Sequence, residues 1–226
     1  MSQAAVYRRL GAHGISLAVR EWPPGQSDLA SPRWRDYISH TQDMPADERY
    51  YANMPGAVFA KPAFWKDLYW PLIHGDHARA TAAMTKFARL PDELALRRVD
   101  LIHCNHFFCI PAARNLSATA PLVIETQDVQ ALQYDLRNEG IFVVPPRATY
   151  DELLTTELDW LRKADLLVHL NAEEWETFEK LLPEMRNALV YPAVEEAPTG
   201  PGGGDIVIVA SGNFPNTLSV EWFLEH

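Results

Sequence analysis

From residue 100 onward the chain alternates between two hydrophobic periods. Short apolar runs at 101–105, 122–126, 166–170 and 188–191 are separated by stretches with helical spacing at 110–116, 129–138 and 149–163. The clearest helix is 149–163, where Tyr150, Leu153, Leu154, Leu158 and Leu161 fall on one face. After the run at 166–170, Asn171 is followed three positions later by Glu174. That is an N-terminal capping pattern with Asn in place of Ser or Thr, and the helix it opens would bury Trp175, Phe178 and Leu182. Short apolar strands joined by helices with short links predict a Rossmann-like α/β domain with a doubly wound parallel sheet.

Upstream the pattern is weaker. Residues 2–10 read as a helix stopped by Gly11 and Gly14, and 15–19 as a short strand. Residues 21–32 are turn-rich. The stretch 33–90 is crowded with Trp, Tyr and Pro, including Trp34, Trp65 and Trp70, and resists parsing apart from a helix at 78–88. A second helix is predicted at 91–98, with Pro91 at its first position. Such sheets usually open with a central strand and a Gly-containing loop. Here a helix comes first, so the expectation is a domain lacking its first strand.

At the other end, the Pro/Gly-rich stretch 192–204 reads as a linker. An apolar strand at 206–210, a turn at 211–216 and a helix at 218–224 then read as the opening of a second α/β domain. One strand and one helix cannot cover a parallel sheet. The organisation predicted is a first domain at 1–191, a linker at 192–204 and the start of a second domain at 205–226.

Composition narrows the function classes. Hydrophobic content of 47% and charged content of 22% are those of a globular chain. The net charge of −10, with no basic stripe, argues against nonspecific nucleic-acid binding. The two cysteines, Cys104 and Cys109, cannot make a disulfide scaffold. With His103 and His106 nearby but no second ligand pair, they do not make a metal site either. No signal-peptide pattern and no apolar run near about 20 residues is present, so a cytoplasmic location is expected and peripheral membrane contact stays open. Gly-x-Ser-x-Gly, phosphate-loop and Gly-x-Gly-x-x-Gly patterns are absent from the sequence.

The run from Asp100 to Leu224 resembles the retaining glycosyltransferases of family 4, which have the GT-B fold. The pieces that carry the resemblance are Asp100-Leu101-Ile102-His103-Cys104-Asn105-His106, Ile124-Glu125-Thr126-Gln127-Asp128-Val129, Glu157 with Ala164-Asp165-Leu166-Leu167-Val168, and Asn171-Ala172-Glu173-Glu174. Ala210 to Asn216 and Val220 to Leu224 add a further "P-N…W-F-L" likeness. No piece is specific alone; their order is. The resemblance implies two Rossmann-like domains across a cleft, the first for the acceptor and the second for a nucleotide-sugar. It implies transfer of a sugar to a glycan or lipid-linked acceptor, with no metal or other cofactor. The family's paired carboxylates, a Glu-x7-Glu segment, are not in this sequence, so no catalytic residue is assigned and the chain by itself is expected to be inactive. Gln127 stands where relatives have His, and Gln cannot carry a proton or a charge.

On the acceptor side the candidates are Asn105, His106, Gln127, Asp128 and Asn171, all at predicted strand ends where doubly wound sheets place ligands. Plainer roles compete: Asp128 and Asn171 as helix caps, His103 as a sheet histidine, the cysteines as small buried groups. On the donor side the candidates are Gly212, Asn213 and Asn216, where backbone N–H groups could approach a phosphate. The alternative functions are a noncatalytic glycan- or partner-binding module of the same fold, and another GT-B enzyme such as a nucleotide-sugar epimerase.

Overall fold

The computed structural model describes residues 3–20, 46–139, 143–191 and 214–225. The chain divides into two compact units, Met1–Ala193 and Val194–His226. The first is a mixed α/β unit whose described strands pair in parallel, with one isolated antiparallel bridge between Asn53 and Arg89. The α/β class read from the sequence therefore holds.

Helix α1 (Gln3–Arg9) ends at Gly11, whose φ of 80° suits a residue without Cβ. Strand β1 (Ile15–Arg20) pairs with β2 (Glu48–Asn53) in a two-stranded sheet. The intervening turn-rich segment, with Trp34, lies outside the described residues. A 3-10 turn, Gly56–Ala60, leads into helix α2, built from the contiguous pieces Pro62–Phe64, Trp65–Tyr69 and Trp70–Ile73. Its middle piece is a π-helical turn. Pro71 follows, with no N–H for the carbonyl of Asp67 and a ring that would crowd it, and the helix widens just ahead of it. Helix α2 buries Phe64 and Leu68 on one side, against Met54, Val58, Ala83 and Met84.

Helix α3 (His77–Lys86) is capped by Asp76, whose Oδ1 accepts the Arg79 N–H at 3.1 Å. The short α4 (Asp92–Ala95) has Pro91 before its first turn, one position earlier than expected. It stops at Leu96 and does not run on to 98.

The second sheet has the order β3 (Ile102–Asn105), β4 (Leu122–Glu125), β5 (Leu166–His169), β6 (Asn187–Leu189). The connections are α5 (Ile110–Leu116), then α6 (Gln130–Glu139) with α7 (Tyr150–Leu161), then α8 (Ala172–Leu181). Strand β4, buried at all four positions, is the centre of the core. Around it pack Phe107, Ile110, Leu153, Leu161, Leu167 and Phe178. The capping box at the start of α7 is complete: the Thr149 hydroxyl takes the Glu152 N–H while Glu152 takes the Thr149 N–H at 2.9 Å. Of the apolar stripe predicted for this helix, Leu153 and Leu161 are buried, Leu154 and Leu158 partly so, and Tyr150 is exposed. The buried position between them belongs to Glu157.

In the second unit the described element is α9 (Phe214–Glu225). It begins four residues before the predicted 218, because Pro215, read as a turn residue, is equally at home in a first helical turn. The linker 192–204, the strand 206–210, Gly212 and Asn213 lie outside the described residues. Asn216 falls within α9. No helix among the described residues is long and apolar enough to cross a membrane.

Candidate functional site

Parallel strands aligned in register bring their carboxyl ends to one edge of the sheet. Asn105 pairs with Glu125, and Glu125 with Val168. The residues that follow, His106, Thr126 to Asp128, and His169 to Asn171, are therefore neighbours although up to 65 positions apart in sequence.

Two of these positions have unusual backbones. Among the described residues other than glycine, only His106 and Gln127 have positive φ, at 66° and 57°. His106 combines that φ with ψ 152°, a region that is essentially glycine's and costs about 1–3 kcal/mol for other residues. What holds it is a hydrogen bond from its N–H to the Glu125 carbonyl at 2.8 Å, and stacking of its ring on Phe108 with centroids 4.9 Å apart. Burial pushes the His106 imidazole pKa down, only partly countered by a hydrogen bond to the Thr126 backbone and by the charges of Asp128 and Glu125. Its Nδ1 is buried without a hydrogen-bond partner.

Gln127 turns inward. Its amide Nε2 donates to Glu125 Oε1 at 2.8 Å. Glu125 itself is 5% exposed. Its other oxygen lies 3.8 Å from His103 Nε2, and the Tyr7 hydroxyl of α1 sits 2.9 Å from His103 Nδ1. Burial lowers the His103 pKa, so this is a contact of a neutral ring.

Asp128 is exposed, and its Oδ2 accepts from the Gln133 amide at 2.6 Å. It is not the cap of α6. Helix α6 starts at Gln130, and its first N–H groups, those of Gln130 and Ala131, go to the Glu157 carboxyl at 3.1 and 2.7 Å. Asn171 does cap: its Oδ1 accepts the Glu174 N–H at 2.8 Å. The box is half formed, since Glu174 Oε2 is buried with no hydrogen-bond partner and the carboxyl faces Asp128. Burial pushes the Glu174 pKa up to about 7, and burial does the same for Glu157 against the two N–H bonds it accepts. Asn105 is exposed beside them.

The floor of this edge is a polar chain with one consistent proton assignment. Asn187 gives its Nδ2 to the Met185 carbonyl, so its Oδ1 accepts from His169 Nε2 at 2.9 Å. His169 Nδ1 then accepts from the Thr126 hydroxyl at 2.9 Å. The ring, fully buried and stacked on Phe178, is neutral, in line with its lowered pKa.

All five acceptor-side candidates thus lie along one edge, while Gly212 and Asn213 are outside the described residues and Asn216 belongs to the other unit. The sequence reading missed Glu157, Glu174, His169 and Thr126 as parts of this edge. Two of them carried a signal: Glu157 as a carboxylate within an apolar stripe, and Glu174 as the capping partner of Asn171. Cys104 is buried, its thiol pushed up to about 12 by desolvation, which fits a small core group. Among the described residues, no group of three or more His, Cys, Asp or Glu is arranged to hold a metal ion. No model of a known protein family matches this chain, and no curated protein matches it either.

Proposed function

We propose that the first unit is the acceptor-side domain of a family-4-like glycosyltransferase, moving a sugar from a nucleotide-sugar to a glycan or lipid-linked acceptor. The observation that supports this most is convergence. Three segments of the resemblance, at Asn105-His106, Gln127-Asp128 and Asn171, meet at the carboxyl ends of three adjacent parallel strands, where α/β sheets of this class bind ligands. Asn105, Asp128 and Asn171 are exposed polar groups suited to sugar hydroxyls. His106 is a neutral imidazole held in a strained backbone, and strain of that kind gathers at ligand sites.

His106→Gly tests the reading. Glycine relieves the backbone strain, so the variant is expected to be about 1 kcal/mol more stable by denaturant titration. Its binding to glycans on an array is expected to be at least tenfold weaker, and Asn105→Ala weaker with unchanged stability. Unaltered glycan binding in both variants would remove the site from consideration.

A second reading, a noncatalytic glycan- or partner-binding module, is favoured by Gln127. Its amide is engaged with Glu125 rather than presented outward. The bound glycan separates the two. Preference for a glycan with a free acceptor hydroxyl over the same glycan already capped by a further sugar supports the transferase; binding indifferent to that cap supports the module.

A further inference from the structure

The π-helical turn in α2 re-aims two tryptophans. In an α-helix, positions five apart point about 140° away from each other. Here the Trp70 N–H bonds to the Trp65 carbonyl, the wider turn narrows that divergence, and both residues line one open groove of about 670 Å³ with Ala60, Pro62 and Lys66. The rings brace one another: Trp65 packs edge-on to Phe64 and to Tyr69, at 5.3 and 5.1 Å, and Phe59 packs edge-on to Phe64.

The surface around the groove has a distinct chemistry. Phe59, Lys61, Trp65, Lys66, Tyr69 and Trp70 are exposed, Trp70 by 60%, and the other exposed positions between 56 and 70 are Gly, Ala or Pro. The single carboxylate in that stretch, Asp67, is half-buried and paired with Lys86 at 3.3 Å. Neither Lys61 nor Lys66 makes an ion pair among the described residues. So a chain of net charge −10 presents here a face of aromatic rings and ammonium groups. A saccharide site needs several convergent polar side chains. This groove offers Lys66 and one indole N–H, because Trp65 gives its own to the Phe59 carbonyl at 2.9 Å.

We propose that this face docks on an anionic lipid bilayer. Trp65, Tyr69 and Trp70 would sit at the headgroup level, where amphipathic rings accumulate, with Lys61 and Lys66 on the lipid phosphates. At net −10 the chain as a whole gains no general attraction to an anionic surface, so the two lysines must supply it locally. The docking is independent of sugar transfer: either can fail while the other holds.

The test is flotation of the 226-residue chain with vesicles of phosphatidylcholine alone, or containing roughly a third phosphatidylglycerol. Binding is expected to the anionic vesicles and to weaken with added salt. Brominated lipid is expected to quench tryptophan fluorescence, and Trp70→Ala to remove part of that quenching. Trp70→Ala weakens binding about tenfold, and Lys61→Glu with Lys66→Glu at least tenfold, at about fivefold or more per lysine. All three substitutions are at exposed positions, and unchanged circular dichroism and melting confirm that the fold survives. Three outcomes would overturn the proposal: no flotation with anionic vesicles, flotation undiminished in both variants, or displacement from vesicles by a soluble oligosaccharide.

Discussion

Glu157→Ala is expected to destabilise the chain by about 3 kcal/mol at pH 6, measured by urea unfolding. The substitution leaves the Gln130 and Ala131 N–H groups buried at the start of α6 with nothing to accept them, and each such loss costs about 1–3 kcal/mol. Glu157→Gln keeps an acceptor and separates this capping role from the charge. In the folded chain burial raises the Glu157 pKa to about 7, against an ordinary 4.5. A raised folded-state pKa contributes stability that is fully present below the unfolded value and is lost as pH rises through the folded one. For Glu157 the window is about 4.5 to 7, and the loss across it is on the order of 3 kcal/mol. Glu157→Gln has no such proton to lose. It is expected to be less stable than the parent near pH 5 and to gain on it steadily up to pH 7.5. Parallel stability curves for the two across that range would show that Glu157 ionises as an ordinary carboxylate.

Gly75→Ala is the second large effect, at about 2–4 kcal/mol. Gly75 joins α2 to α3 with a φ of 74°, a conformation that costs an L-residue about 1 kcal/mol. A Cβ there would lie 2.6 Å from Asn138 Oδ1. That side chain has nowhere to go. It is 2% exposed, its Nδ2 donates to the Gly75 carbonyl at 2.9 Å, and its Oδ1 accepts from His77 Nε2 at 3.0 Å. In an Asn138→Ala background the same substitution is expected to cost only the backbone share, about 1 kcal/mol, because the obstruction is gone. Equal costs in the two backgrounds would mean that Asn138 yields freely.

How far the sequence spoke depended on local periodicity. Strands β3 to β5 and helices α5 to α8 were legible within a residue or two, because their apolar runs and spacing are set by burial on a regular sheet. The stretch from 46 to 90 was not, apart from helix α3, expected at 78–88 and found at His77–Lys86. There Trp65, Tyr69 and Trp70 are exposed while His74, His77 and Thr85 are buried, which inverts the usual association of aromatic with inside, and a π-turn shifts the helical phase by one residue. Strand β2, Glu-Arg-Tyr-Tyr-Ala-Asn, is half-buried and polar, so it carried no strand signal. At the candidate site, strand ends could be located but partners could not. Asp128 stands two residues before α6, where a cap is a fair guess, yet the helix is capped by a carboxylate 27 positions downstream of Gln130. Nothing in a linear pattern marks a contact of that range.

The four-stranded sheet lists its strands in the order the chain makes them, and that has a consequence for how the molecule breathes. Among the described residues, strands β4 and β5 are hydrogen-bonded on both flanks, and β3 and β6 each on one. Backbone amides in β4 and β5 are therefore the slowest to exchange with deuterated water, and those of β3 and of the separate β1–β2 pair are released at lower free energy. The candidate edge straddles that gradient. His106 leaves the looser strand, Gln127 and Asn171 the tighter ones. A ligand that bridged them would tie the edge strand to the centre, so its presence would be read first as slower deuterium uptake at residues 102–106.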